Sequence, residues 1–271
     1  MPDAVSRPHL LITGAAGRLG TAVRSILGPR YPRLRLTDIR PIPDAQPHAE
    51  VVQCDLADAD AVHGLLAGID AVVHVAGYPR EAPWPQIMAA NMLPACNLWE
   101  AARAAGTQRI VFASSNHVIG FKDRGEPSDA TERPRPDTRY GIGHAFNENL
   151  ASYYADKHGL RGFAIRVGSL TPEPTDMRML STWLSPGDLA RLVEVGLTAD
   201  YHFEIVYGVS RNTRSWWDNR RAESLGYAPV DSADAWADKL GDKLLGDALA
   251  DRLQGGKYAR NEFTGDPSRL D

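Results

Sequence analysis

The fold follows from one eight-residue stretch, Thr13-Gly14-Ala15-Ala16-Gly17-Arg18-Leu19-Gly20. An apolar run precedes it and an amphipathic segment follows it, which is typical of a buried strand, a turn and a helix. Gly14 permits the tight turn, Gly17 lets a backbone approach a pyrophosphate, and Gly20 lets the helix pack closely on the strand. The N–H groups at the start of the helix are then available to phosphates. The stretch therefore predicts a dinucleotide-binding turn.

An acidic residue ends the next predicted strand. Leu34-Arg35-Leu36-Thr37-Asp38 places Asp38 roughly twenty residues after the glycine turn, as dinucleotide-binding units require. An aspartate there accepts hydrogen bonds from an adenosine ribose and repels a 2′-phosphate, so we expect NAD rather than NADP. The alternative is a structural glycine turn with a capping aspartate.

Composition excludes several functional classes. The chain has 271 residues, of which 43% are hydrophobic and 24% are charged, and its formal net charge is -4. This charge argues against a nucleic-acid partner. Cys54 and Cys96 give no disulfide framework, and the sequence shows neither a signal peptide nor an apolar run of the ~20 residues that span a membrane. We expect a cytoplasmic protein without a membrane partner, and the spacing of His, Cys, Asp and Glu predicts no metal site.

Short apolar runs alternate with longer helical patterns, which indicates an α/β fold with a parallel sheet covered on both faces. The predicted strands are residues 9–12, 34–38, 50–56, 71–77, 109–115 and 162–168. Right-handed crossovers make this a Rossmann-type doubly wound sheet, whose ligands bind at the carboxyl ends of the strands. We expect a dinucleotide-binding domain over residues 1–168 and a small substrate-binding lobe with a C-terminal tail over residues 169–271.

Two residues at the predicted cleft suit redox chemistry. Ser115 lies at a strand end and Tyr140 opens a helix, so both side chains are expected at the same edge of the sheet. A tyrosine beside a nicotinamide can act as a general acid or base on a hydroxyl group, with a serine sharing the hydrogen bond.

These motifs resemble the extended short-chain dehydrogenase/reductase family, also called the NAD-dependent epimerase/dehydratase family. The resemblance rests on the glycine turn, Asp55-Leu56, Asn91, Ser115 and Tyr140. It sharpens towards the uronate dehydrogenases in residues 112–120, 166–174 and 178–183, and it continues in residues 206–208, 216–219 and 254–256. The resemblance thus covers nearly the whole chain. It implies NAD-dependent oxidation of a hexuronic acid at C1 to an aldarolactone.

Site residues follow from the same resemblance. Tyr140 would be the base, with Ser115 and His144 completing the catalytic group. The sugar acid would be held by Ser115, Asn116, His117, Ser169 and Arg178. The cofactor NAD would be held by Gly14, Gly17, Arg18, Leu19, Gly20, Asp38, Asp55, Leu56, Gly77 and His144. We also expect a homo-oligomer.

Two positions depart from the family pattern. His144 stands where the family has a lysine that lowers the pKa of the tyrosine and holds the nicotinamide ribose. A histidine could still hold the ribose and, when protonated, favour the phenolate. Pro79 stands where a substrate-binding serine is expected, and its side chain offers no donor or acceptor. Two alternatives therefore stay open: a dehydrogenase or ketoreductase for another hydroxy compound, and a non-catalytic dinucleotide-binding sensor.

Overall fold

A seven-stranded parallel sheet forms the centre of the computed structural model, which describes residues 7–241 and 246–270. In chain order the strands are β1 (Leu10–Thr13), β2 (Leu34–Asp38), β3 (Glu50–Gln53), β4 (Ala71–His74), β5 (Arg109–Ser115), β6 (Arg161–Val167), β7 (Ser169–Leu170), β8 (Trp183–Leu184) and β9 (Phe203–Gly208). The sheet runs in the spatial order β3-β2-β1-β4-β5-β6-β9, and β7 pairs separately with β8. Strand order reverses between β1 and β4, which opens a ligand crevice at their carboxyl ends.

Helices cover both faces of the sheet. They are α1 (Arg18–Leu27), α2 (Ala59–Leu65), α3 (Trp84–Ile87), α4 (Leu93–Ala105), α5 (Arg139–His158), α6 (Met179–Thr182), α7 (Pro186–Thr198), α8 (Arg220–Ser224), α9 (Ala237–Leu240), α10 (Ala248–Arg252) and α11 (Lys257–Arg260). Because side chains alternate along a strand, Leu10 and Ile12 pack with α1 and α7, whereas Leu11 packs with α2, α4 and α5. This arrangement confirms the predicted doubly wound α/β fold.

Boundaries differ from the predictions by a few residues. The strand predicted over residues 50–56 ends at Gln53, because its partner β2 ends opposite it at Asp38. The helix expected to open at Tyr140 is α5, which begins one residue earlier, at Arg139. The Thr138 side chain caps its start by accepting the N–H of Gly141, and Gly159, with a φ of +69°, caps its end. No helix within the described residues combines the length and apolarity needed to cross a membrane.

Strand β9 was not predicted from the sequence. It pairs in parallel with β6, for example Ile165 with Val206, and so extends the sheet with residues from beyond position 169. Helix α7, which precedes it, packs on the same face as α1. The division of the chain into a dinucleotide-binding domain (residues 1–168) and a substrate-binding lobe with a C-terminal tail (residues 169–271) stays a prediction.

A buried ion pair fastens α5 to the centre of the sheet. Arg166 of β6 donates from Nε and Nη2 to the two carboxylate oxygens of Glu148, both at 2.9 Å. Ser114 of β5 donates its hydroxyl to Glu148 Oε1 at 2.6 Å. The side chains of Arg166 and Glu148 are only 1% and 4% exposed. One carboxylate therefore joins β6 to β5 and α5, and these last two elements carry the predicted catalytic residues.

We predict that Glu148→Ala lowers the free energy of unfolding by about 3–5 kcal/mol, because Arg166 is left charged and unpaired in the interior. Urea denaturation measures the loss. The matched control is Glu50→Ala, which removes an ion pair to Arg35 from a half-exposed carboxylate, and we expect it to cost less than about 1 kcal/mol. Losses of equal size would contradict the role given to Glu148.

Candidate active site

Two glycines of the turn, Gly14 and Gly20, lie where a side chain would not fit. Gly14 has a φ of +68°, and a Cβ on it would lie 2.6 Å from the backbone nitrogen of Ala76. A Cβ on Gly20 would lie 2.1 Å from the carbonyl oxygen of Gly14. Gly17 is the N-cap of α1 and, as a glycine, it places no side-chain acceptor over the first N–H groups of the helix. The turn therefore fits a pyrophosphate, which needs a close backbone and unpaired N–H donors.

Asp38 lies beside this turn at the end of β2. Its Oδ2 atom accepts the backbone N–H of Ala16 at 3.0 Å, which joins the strand end to the glycine turn. Its Oδ1 atom accepts the backbone N–H and Nε of Arg40 at 3.0 and 3.3 Å. Asp38 is buried, yet it faces the crevice where a ribose would lie next to the turn.

Other predicted cofactor residues surround the same crevice. Arg18 is exposed and reaches across it to donate from Nη1 to the carbonyl oxygen of Leu170 at 3.2 Å, whereas Leu19 packs against the core. Asp55 is exposed and accepts the N–H of Ala57, and the adjoining Leu56 is buried.

Gly77 follows β4 with a φ of +149°. The next residue, Tyr78, is held by Asn91, whose side-chain amide accepts its N–H and donates to its carbonyl oxygen, both at 3.1 Å. Asn91 lies in the π-turn that joins α3 to α4. Pro79 is exposed in the same loop.

Ser115 and Tyr140 meet where β5 ends and α5 begins. Ser115 is buried, and its hydroxyl accepts the N–H of His117 at 3.2 Å. Tyr140 lies in the first turn of α5, where Glu81 accepts its backbone N–H at 3.0 Å. Burial raises the pKa of the Tyr140 phenol to about 12, although a side-chain hydrogen bond with Ser115 acts to lower it. The pair thus has the contacts of a general base and its hydrogen-bonding partner, but the phenolate is electrostatically unfavourable.

His144 lies one helical turn after Tyr140. The two ring centroids are 4.4 Å apart with an interplanar angle of 79°. The residue is only 8% exposed, and neither ring nitrogen has a hydrogen-bond partner among the described residues. Burial lowers the pKa of His144 to about 3, with smaller contributions from His117 and His74, while the nearby Ala113 backbone acts weakly in the opposite direction without forming a hydrogen bond of standard geometry. The imidazole is therefore neutral at ordinary pH and supplies no positive charge to Tyr140. The protonated form considered from the sequence requires strongly acidic conditions.

The predicted substrate residues lie together at the ends of β5 and β6. Arg178 Nη1 donates to the Ser169 hydroxyl at 3.3 Å. With its amide oriented to satisfy both neighbours, Asn116 donates to the carbonyl oxygen of Val167 at 3.0 Å and accepts from Arg178 Nη2 at 2.8 Å. Nε and Nη2 of Arg178 also donate to the carbonyl oxygen of Gln254 at 3.1 and 2.6 Å.

Arg178 carries a charge that the described part of the chain does not neutralise. Every hydrogen-bond acceptor named for it is a neutral oxygen, and no carboxylate forms an ion pair with it in residues 7–241 and 246–270. Burial lowers the pKa of Arg178 to about 10, repulsion by Arg124 adds to this effect, and weaker attraction by Asp176 and Asp137 acts against it. An unneutralised guanidinium in a cleft favours binding of an anion, because the charge otherwise lacks a compensating partner.

His117 is oriented by a carboxylate that the sequence did not reveal. Its Nδ1 atom lies 3.0 Å from both oxygens of Asp137, whose side chain is fully buried. This contact directs the opposite edge of the imidazole away from Asp137. The ring also contacts Tyr258, with centroids 4.8 Å apart.

Several other site residues escaped the sequence analysis because they come from distant segments. Arg124 and Arg178 both lie over the ring of Trp216, 4.8 and 5.6 Å from its centroid. Gln254 supplies the carbonyl oxygen that holds Arg178, and Tyr258 on α11 brings a phenol towards Tyr140. The motifs at residues 216–219 and 254–256 were the sequence signals that pointed to this contribution.

Comparison with known proteins identifies the family. The family model described as "NAD dependent epimerase/dehydratase family" matches residues 10–210, which is well over half of the chain. The chain belongs to the NAD dependent epimerase/dehydratase family.

Similar members of the NAD dependent epimerase/dehydratase family are dehydrogenases. The chain is 46% identical over 262 residues to a uronate dehydrogenase from Pseudomonas syringae pv. tomato, covering 95% of each chain. It is 37% identical over 246 residues to an NAD-dependent glucose-6-phosphate dehydrogenase from Haloferax volcanii, covering 83% of this chain and 94% of that protein. A crystal structure of a uronate dehydrogenase mutant from Agrobacterium tumefaciens complexed with NAD matches with a TM-score of 0.88 and 44% identity. That match covers 93% of this chain and 97% of the other.

Proposed function

We propose that this protein is an NAD-dependent uronate dehydrogenase, which oxidises a hexuronic acid at C1 to an aldarolactone. The observation that carries the proposal is the unneutralised guanidinium of Arg178, which lies with Asn116 and Ser169 at the strand ends next to Ser115. A carboxylate would supply the missing charge through two parallel hydrogen bonds. The identity to uronate dehydrogenases over 95% of the chain supports the same substrate class.

The glycine turn would hold the cofactor. Gly14, Gly17 and Gly20 admit the pyrophosphate, and Asp38 would accept the ribose hydroxyls. His144 would hold the nicotinamide ribose, since its unpartnered ring nitrogens suit a hydroxyl group. NAD bound there would supply the hydride acceptor for oxidation at C1 of the sugar. In this proposal, residues 1–168 hold the cofactor, and the rest of the chain completes the substrate site.

Proton transfer would fall to Tyr140. Its phenolate takes the proton of the C1 hydroxyl as the C1–H bond breaks and the carbonyl forms, which leaves the ring oxygen in place and gives a lactone. Ser115 donates a hydrogen bond to the developing oxyanion. His117, fixed by Asp137, orients a neighbouring sugar hydroxyl, and Arg178 fixes the far end of the sugar through its carboxylate.

A second substrate class has one specific observation in its favour. Arg124 and Arg178 share the ring of Trp216, and two adjacent guanidinium groups suit a doubly charged anion as well as a carboxylate. A hexose 6-phosphate carries such a group. The similarity to a glucose-6-phosphate dehydrogenase makes this the alternative to test.

The protein would work in the cytoplasm as a homo-oligomer. Cys54 and Cys96 are both free thiols, which suits a reducing compartment. Trp84, Met88 and Leu93 expose apolar side chains along α3 and the start of α4, which favours contact between copies of the chain.

We predict that Arg178→Ala lowers kcat/KM for hexuronates about a hundredfold or more, because a buried carboxylate then lacks its partner. Activity on a matched neutral aldose should change less than about threefold. The measurement is NADH formation at 340 nm with hexuronates, neutral aldoses and hexose 6-phosphates as substrates. Arg103→Ala, which alters an exposed ion pair on α4, is the control.

Equal losses on charged and neutral sugars would remove Arg178 from the acid-binding role. A wild-type preference for hexose 6-phosphates over hexuronates would replace the first substrate class by the second. Arg178→Lys keeps the charge but loses the planar fork, so its activity should fall between those of wild type and Arg178→Ala.

We also predict that oxidation accelerates with pH from neutrality into the alkaline range. The base is the phenolate, burial raises the pKa of Tyr140 to about 12, and the neutral His144 does not oppose that shift. His144→Lys should place a positive charge beside the phenol, lower its pKa, and move the pH–rate profile towards neutrality.

His144→Gln is the matched control, because it is polar but uncharged and should keep the parent profile. NAD affinity, measured by tryptophan fluorescence, shows whether each variant retains its cofactor site. A parent optimum near neutrality would mean that another group activates Tyr140. If the parent and the His144→Lys variant both bind NAD but oxidise no sugar, the result would favour the non-catalytic sensor.

A further inference from the structure

The guanidinium group of Arg40 lies close to the glycine turn. Arg40 follows the end of β2, and its Nε atom donates to Asp38 Oδ1 at 3.3 Å. Its Nη2 atom lies 3.9 Å from the position that a Cβ on Gly17 would occupy. The side chain of Arg40 is 61% exposed, whereas that of Asp38 is 6% exposed. Arg40 therefore spans the mouth of the crevice between the strand end and the turn.

The link between Arg40 and Asp38 is easily exchanged. It is a single contact to an exposed side chain, and such ion pairs contribute little to stability. Asp38 keeps two backbone N–H donors, from Ala16 and Arg40, when the guanidinium moves. The Arg40 side chain can therefore turn to another anion without leaving a buried carboxylate unpaired.

The net charge beside the 2′ position of the adenosine ribose decides whether NAD or NADP binds. Asp38 alone would present one negative charge to the ribose and repel a 2′-phosphate. The charges of Asp38 and Arg40 sum to zero. The planar guanidinium group can also donate two parallel hydrogen bonds to phosphate oxygens. An acid at this strand end suits the 2′-hydroxyl, whereas a nearby arginine accommodates a 2′-phosphate, and this chain has both.

We propose that Arg40 forms a 2′-phosphate subsite, so that the protein binds NADP as well as NAD. NAD remains the preferred cofactor because Asp38 stays within reach of the ribose, but the difference in affinity is only about tenfold. The inference rests on the proposed NAD site and adds a second cofactor to it.

Titration calorimetry with four probes tests the subsite: 2′-AMP, 5′-AMP, NADP and NAD. Arg40→Ala should weaken 2′-AMP and NADP about tenfold and change 5′-AMP and NAD less than about threefold. Arg33→Ala is the matched control, because it removes an exposed arginine paired to Asp70 just before β2, at the opposite end of the strand, and should change none of the four. Wild-type binding of NADP should also weaken more with salt than that of NAD.

A second variant, Asp38→Ser, removes the repulsion between the Asp38 carboxylate and a 2′-phosphate. Asp38→Ser should make NADP bind more tightly than NAD, and adding Arg40→Ala to it should abolish that gain. Undiminished NADP binding by Arg40→Ala, or wild-type binding of NAD without NADP or 2′-AMP, would overturn the subsite and leave the NAD site intact. Failure of NAD and 5′-AMP to bind would overturn the cofactor site itself, and the subsite with it.

Discussion

The Glu148–Arg166 ion pair is the interaction on which the geometry of the cleft depends. Both side chains are almost completely buried, and Ser114 shares the carboxylate, so β5, β6 and α5 are fixed to one another at a single point. Ser115 is the next residue on β5, and Tyr140 and His144 lie on the helix that Glu148 anchors. A buried pair stabilises little by itself, but it disfavours any register in which either charge is unpaired. The positions of Ser115 and Tyr140 therefore follow from a contact that neither residue makes.

Much of the fold was predictable because its signals are local. The glycine turn depends on backbone clashes within a few residues, such as a Cβ on Gly20 against the Gly14 carbonyl oxygen. Apolar runs predicted β1, β4, β5 and β6, since each of these strands is buried along most of its length, whereas β3 at the edge of the sheet is largely exposed. β9 was missed because its partner β6 lies some forty residues earlier, and α6, β8 and α7 separate the two strands in the sequence.

The candidate site was predictable only where its residues sit at strand ends and helix starts. Ser115, Asn116, His117, Ser169 and Arg178 do lie together, but their roles as substrate ligands stay a proposal. Asp137, Arg124 and Tyr258 reach the cleft through long-range packing, which leaves no periodic trace in the sequence. The neutrality of His144 could not be predicted from residue type either, because it comes from the burial of the imidazole. The unneutralised charge of Arg178 could not be predicted from residue type either, because it depends on which neutral oxygens surround the guanidinium group.

The account turns on one claim: the acid group of the substrate binds at Arg178 while its C1 faces Ser115 and Tyr140. A crystal structure of the Tyr140→Phe protein with NAD and a hexuronate tests this most directly, because loss of the phenol hydroxyl blocks turnover and leaves the pocket in place. We predict a carboxylate within hydrogen-bond distance of Arg178, and the C1 hydroxyl on Ser115. A hexuronate bound in the opposite direction, or with its carboxylate away from Arg178, would contradict the account.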